Sequence, residues 1–218
     1  MPTTHDIYLE VGTRRVFACS VEWPGWCRSG RDEESAIEAL AAYADRYRSA
    51  IARARKGFEP GTLKVVERVT GNATTDFGAP GLPARLDERK LSDGEAKRFV
   101  SLLKAAWRSF DEAAEAASGT RLTTGPRSGG RTVKKMVDHV REAQGAYLSG
   151  LGGLVEKNKR HDTEAIRDAY VEAVLIRASG GDAPKPKRSG KLWPVRYAIR
   201  RSAWHALDHA WEIEDRST

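Results

Sequence analysis

The 218-residue sequence predicts an α+β protein in two parts: a small N-terminal β-hairpin/helix module over residues 1–78, followed by an all-α four-helix bundle over 92–218. A linker at 79–91 joins them. Three observations predict this division. Apolar residues alternate with period two near the N-terminus, the repeat changes to 3.6 from Ser92 onward, and a Gly- and Pro-rich stretch from Gly71 to Pro83 separates the two patterns.

In the first part, Ile7, Leu9 and Val11 alternate with Tyr8 and Glu10. Gly12-Thr13 supplies a turn, and Val16-Phe17-Ala18-Cys19-Ser20-Val21 makes the second strand of a hairpin. Trp23-Pro24-Gly25-Trp26-Cys27 reads as a turn. A helix then opens at Asp32-Glu33-Glu34, with Ile37, Leu40, Ala44, Tyr47 and Ile51 on its apolar face and Arg53, Arg55 and Lys56 at its end, an arrangement that suits the helix dipole. Leu63 to Val69 is a third strand candidate, and Gly71 to Pro83 reads as a linker or a long functional loop.

In the second part, Ser92 with Glu95 three residues on is a capping box, and Phe99, Leu102, Leu103, Ala106, Trp107 and Phe110 form one helical stripe. After a Gly125 to Gly130 loop, Val133, Met136, Val137, Val140, Gln144 and Tyr147 mark a second helix that ends near Gly150 to Gly153. A third runs from about Thr163 to Ala178, and a fourth begins at Trp193-Pro194 and continues to about Asp215. Four helices of this length with mostly short connections describe a four-helix bundle.

Composition sets the class. With 40% hydrophobic, 31% charged and 8% aromatic residues, the chain belongs with globular proteins. It has no apolar run of membrane-spanning length and no hydrophobic signal segment in Met1 to Glu10, so a cytoplasmic protein without a membrane partner is expected. Cys19 and Cys27 stand alone, too few for a disulfide framework or a cysteine-rich zinc module, and reduced thiols are expected. The net charge of +7 is interleaved with acids along most segments, so nucleic acid is not indicated. The one basic run, Lys185, Lys187, Arg188 and Lys191, reads as a solvated loop. No P-loop, dinucleotide fingerprint, Gly-x-Ser-x-Gly elbow or Cys nucleophile with a matching base is present.

Chemistry concentrates in the histidines. His205 and His209 stand four apart on the last helix, one turn above the other, so both rings can reach one point. They fall at the border between an apolar arc and a polar arc of Arg201, Asp208, Glu212 and Asp215. Taken alone, such a pair is also the pattern of two border residues with ordinary hydrogen bonds. His139 borders the stripe of the second bundle helix, and if the two helices are neighbours the three imidazoles converge and leave a coordination position open, the catalytic pattern for a zinc-like ion. Asp138, Asp208, Glu142 and Glu212 are near enough in sequence to accept from ring N–H groups or to move protons, and Glu142 and Glu212 are the catalytic candidates among them. His5 and His161 read as solvated, and Trp204 and Trp211 as packing residues.

Trp193-Pro194-Val195-Arg196-Tyr197-Ala198-Ile199 followed by Trp204-His205-Ala206-Leu207-Asp208-His209-Ala210-Trp211 resembles the last core helix of the DinB-like four-helix superfamily, and Val137-Asp138-His139-Val140 resembles its second. The resemblance covers about residues 85–215. It implies a divalent ion, zinc or nickel, held by His139, His205 and His209, in a family that includes thiol-cofactor transferases and isomerases. A low-molecular-weight thiol, a small electrophilic substrate and a homodimer are therefore expected, with Arg201 or Arg196 holding an anionic group. Val21-Glu22-Trp23-Pro24-Gly25-Trp26-Cys27 and the helix start at Glu33 are similar to a HicB-like module, with Trp26 departing from that family's turn. Two functions follow: a metal-dependent transferase, isomerase or hydrolase, or a non-catalytic or stress-associated protein whose N-terminal module contacts a protein or RNA partner.

Overall fold

The computed structural model describes residues 3–124, 131–182 and 191–217. The fold is α+β, a four-stranded mixed sheet followed by helices. Strands β1 (Thr4–Val11) and β2 (Val16–Ser20) form the expected hairpin, closed by the Gly12 N–H on the Arg15 carbonyl at 2.9 Å. The expected turn at Trp23 to Cys27 ends sooner than its residue types suggest, because Cys27 opens a third strand, β3 (Cys27–Gly30), paired antiparallel with β2. Cys-Arg-Ser-Gly has no β-rich signature, and the ladder offered by β2 makes the strand. Helices α1 (Glu33–Ala42) and α2 (Ala44–Ala50) replace the single helix expected here, with the break at Tyr43, whose ring packs over Arg28 and against Trp211. The helical crossover returns the chain parallel to β1 as β4 (Thr62–Thr70), giving the order β3-β2-β1-β4.

The central strand β1 is covered on both faces. Ile7 and Leu9 enter a core with Leu40 and Tyr47, whereas Tyr8 and the fully buried Glu10 point the other way. Turn residues 21–26 are pinned by Trp26 Nε1–H on the Leu40 carbonyl and the Tyr47 hydroxyl on the Pro24 carbonyl, both at 2.9 Å. Gly25 takes φ +94°, and a Cβ there would stand 2.8 Å from Leu207 Cδ1. Gly25→Ala is expected to cost about 1–3 kcal/mol in a urea unfolding titration, since both the backbone and the packing oppose it. His5, expected to be solvated, is instead buried, stacked on Phe58 with Nε2 2.8 Å from the Glu59 carbonyl. Cys19 and Cys27 are free, directly opposed across β2 and β3, with sulfurs 2.8 Å apart.

Residues 71–91 run back along the fold. Asn72 caps a short helix, α3 (Ala73–Phe77), and Glu10 accepts from the Thr75 hydroxyl and from the Gly81 and Leu82 N–H groups. Asp87 then meets Arg200 in a buried ion pair. The long helices follow: α4 (Asp93–Ala116), α5 (Val133–Leu151), α6 (Thr163–Ala178) and α7 (Val195–Arg216). The Ser92 and Glu95 capping box forms as expected, and the Glu95 carboxyl is pushed down to about 2 by the Ser92 N–H and the Arg196 guanidinium. Phe99, Leu103, Met136, Ile166, Tyr170, Ile199 and Ala203 interdigitate, and this core is continuous with Ile7, Leu40 and Tyr47 of the sheet side.

The last helix departs most from its pattern. A two-arc helix was expected, but α7 is buried nearly all round, because the sheet and residues 79–91 cover the side that the other long helices leave open. Arg196, expected as one of two candidates to hold an anionic group, is instead 2% exposed and engaged by Glu95, Glu22 and the Arg89 carbonyl, so its guanidinium is committed to contacts within the fold. The basic residues Lys185, Lys187 and Arg188 and the Gly125 to Gly130 loop lie outside the described residues. Among those that are described, no helix is long and apolar enough to cross a membrane.

Candidate metal centre

Two helices carry the site. The i,i+4 spacing of His205 and His209 on α7 sets their rings edge to face with centroids 4.7 Å apart. Packing of α5 against α7 brings His139 to them, at centroid distances of 5.0 and 5.1 Å. The three ligand atoms all lie within 4.8 Å of one another, and the Nε2 atoms of His139 and His205 are 3.2 Å apart. Two nitrogens bound at about 2.05 Å to one tetrahedral ion would be about 3.3 Å apart, so this pair has the spacing of ligands to a common zinc-like ion. Without a cation between them, two facing lone pairs would repel, and one ring would have to donate to the other.

Electrostatics favour neutral rings with available lone pairs. Burial is the first cause that holds the His205 imidazolium well below the usual histidine range, helped by the positive charge of His209, His139, Arg201 and Arg131. His139 is lowered in the same sense, again first by burial. Both rings are therefore ready to ligate at neutral pH without first losing a proton. The buried Nδ1 of His205 has no hydrogen-bond partner among the described residues. All three donors are imidazoles, a set that suits zinc or nickel better than a hard oxygen-seeking cation.

His209 has the one clear supporting partner. Its Nδ1 lies 2.9 Å from Glu212 Oε2, and Glu212 also accepts from Arg216 Nη1 at 2.8 Å. The hydrogen bond from His209, with Arg216 beside it, pulls the Glu212 carboxyl down to about 2. Glu212 is thus an anion at neutral pH, so the Nδ1 that faces it carries the proton and Nε2 is left as the ligand atom. Glu212→Gln is expected to weaken zinc affinity about 10–100-fold in competition with a chromophoric chelator, because the amide still accepts the N–H but supplies no charge.

The histidines line a cleft of about 700 Å³. Its walls come from both parts of the chain: Ala143 and Tyr147 of α5, Arg201, Trp204 and Asp208 of α7, and Arg15, Thr74, Phe77, Gly78 and Ala79 of the N-terminal part. Of the expected carboxylates, Glu212 touches a histidine, Asp208 pairs with Arg28 at 3.2 Å, and Asp138 pairs with Arg141 at 2.8 Å. Glu142 is exposed on α5, outside the cleft lining, and reaches His139 only through its charge. Arg201 is in the cleft wall, as an anion-binding role requires.

No family model, curated protein or solved structure matches this chain. Sequence reasoning missed Arg15 and Phe77. Arg15 follows a hairpin turn and carries no local signal, whereas Phe77 lies in the Gly- and Pro-rich segment whose reading as a long functional loop was the available clue. Trp204 does more than pack: it lines the cleft and also a small cavity beside the buried cysteines.

Proposed function

We propose that this chain is a metal-dependent enzyme acting on a small electrophilic substrate, as a transferase, isomerase or hydrolase, at a centre held by His139, His205 and His209. The observation that carries it is the convergence of three imidazoles from two helices, His139 and His205 held neutral by burial, in the lining of an open cleft. A structural zinc site closes its fourth position with protein, whereas three protein donors under a cleft leave that position to substrate. A divalent ion bound there, zinc or nickel, supplies Lewis-acid polarisation and lowers the pKa of a water or a thiol.

The chain's own residues do the rest. Glu212 fixes the His209 ring and its tautomer, which makes it a positioning residue. A carboxyl held near 2 is a poor proton carrier at neutral pH, so proton movement falls to a substrate group or a cofactor thiol. Tyr147 and Trp204 give the reacting group an apolar wall. The order of the ligands supports the DinB-like reading: one histidine lies on the second long helix and two lie on the last. So does the packing, in which α4 meets α6 and α7, and α5 meets the same two, as a four-helix bundle requires. The turn at residues 21–26 and the helix start at Glu33 support the likeness of Val21–Cys27 and Glu33–Leu40 to a HicB-like module.

Elemental analysis of the purified chain, loaded with zinc or nickel and then dialysed, tests the reading. About one equivalent of ion per chain is expected, and a chain that retains none removes the basis for a metal-dependent reaction.

A further inference from the structure

We propose that the cleft above the histidines binds a small anion that has a carboxylate or phosphoryl head on an apolar body, and that the N-terminal part supplies a recognition residue, Arg15. This rests on the metal-dependent reading and names the substrate class of the same site. The cleft's charges are unequal in a telling way. Its two carboxylates are already matched, Asp208 by Arg28 and Glu212 by His209 and Arg216. Asp76, near the hairpin turn, is held by the Thr13 hydroxyl and the Arg14 N–H.

Its three guanidiniums, Arg15, Arg131 and Arg201, form no ion pair with a carboxylate among the described residues. Arg15 gives one N–H to the Ser29 hydroxyl at 3.1 Å, and its buried Nε–H has no partner. Arg201 gives one N–H to the Pro80 carbonyl at 2.9 Å and lies over the Trp204 ring at 4.8 Å. A guanidinium offers five N–H groups in a planar fork, so both residues keep donors to spare, and the fork matches a carboxylate or phosphoryl group better than a spherical anion.

The cleft concentrates this charge, because apolar walls focus the field of the arginines on whatever enters. Those walls also set the rest of the ligand. Tyr147 and Trp204 line the interior, and Phe77 stands 78% exposed on α3 at the rim, a ring that water solvates poorly and an apolar ligand body would cover. Arg15 comes from the hairpin and Arg201 from α7, so the anion would bridge the two parts of the chain directly above the ion.

Isothermal titration of the zinc-loaded protein with sodium phosphate, sodium benzoate and sodium acetate tests this, with Arg15→Gln and Arg201→Gln beside the wild type. Phosphate or benzoate is expected to bind, and each substitution is expected to weaken that binding roughly 10-fold or more, the effect of losing a charge-assisted hydrogen bond, while zinc content stays unchanged. Phosphate tighter than benzoate assigns a phosphoryl head, and benzoate tighter than acetate and phosphate assigns a carboxylate on an apolar body. Binding of equal strength in wild type and both variants places the anion on the ion alone and overturns the proposal, as does no binding of any of the three. If the chain takes up no zinc, the same titration of the metal-free protein still reads the arginines: binding that Arg15→Gln weakens sustains the anion site while the metal reading fails, and no binding overturns it.

Discussion

His205→Ala is expected to abolish stoichiometric metal retention, taking zinc content from about one equivalent per chain to near zero. Removing an outer partner of a ligand already costs about 10–100-fold in affinity, and removing one of three ligands costs more. His205 is the most informative of the three because it is both a proposed ligand and a wall of the cleft. It is 7% exposed, its Nε2 faces His139, and its ring packs against those of Tyr147 and Trp204. Truncation therefore opens a small cavity, but it also removes a buried Nδ1 that has no partner, so the metal-free variant is expected to fold. The two effects separate in thermal melts. Free zinc at 100 times its dissociation constant stabilises a binding protein by about 2.7 kcal/mol, so wild type is expected to melt higher with zinc, whereas the variant melts at one temperature with or without it. Equal zinc content in the two proteins would show that the histidines do not hold the ion.

The second large effect is on folding. Asp87→Ala is expected to destabilise the chain by about 3–5 kcal/mol, the cost of leaving one member of a buried ion pair without its partner. Asp87 and Arg200 are 4% and 6% exposed. Arg200 Nε donates to Asp87 Oδ1 at 3.1 Å, its Nη2 donates to Oδ2, and its guanidinium lies 4.5 Å from the Tyr8 ring. Burial alone would pull Arg200 down, but the Asp87 carboxylate outweighs it and the arginine stays firmly charged. Asp87 also accepts the Ala84 N–H at 2.8 Å, so the substitution frees the segment that follows the cleft rim. A fall in melting temperature of roughly 6–20 °C is expected for a chain of this length. Asp87→Asn with Arg200→Met keeps an acceptor for Ala84 and removes the stranded charge, and is expected to recover most of the loss. If the double variant is no more stable than Asp87→Ala, the charge is not the cause.

Much of the helical part is legible in the sequence because its signals are local. The Ser92–Glu95 box, the Pro194 start and stripes such as Phe99 to Phe110 each act within one or two turns, and α4 to α7 lie where those signals put them. The His205–His209 pair is local in the same sense, since four residues on a helix make neighbours. The N-terminal part was less legible. Cys27–Gly30 is a strand because β2 lies beside it, Tyr43 breaks a helix where Arg28 and Trp211 meet its ring, and His5 is buried because Phe58 and Glu59 return to it.

Residue order alone determined that this chain has a sheet-forming start, four long helices and a histidine pair on one helix face, since periodicity, caps and helical spacing are fixed by covalent neighbours. Only the tertiary structure decided that His139 joins that pair, that Glu212 rather than Glu142 supports it, that Arg196 is walled in, and that Arg15 and Phe77 overlook the histidines. Each of those facts depends on which surfaces meet across many intervening residues. Such meetings are settled by burying α7 from every side at once, and no single segment encodes that.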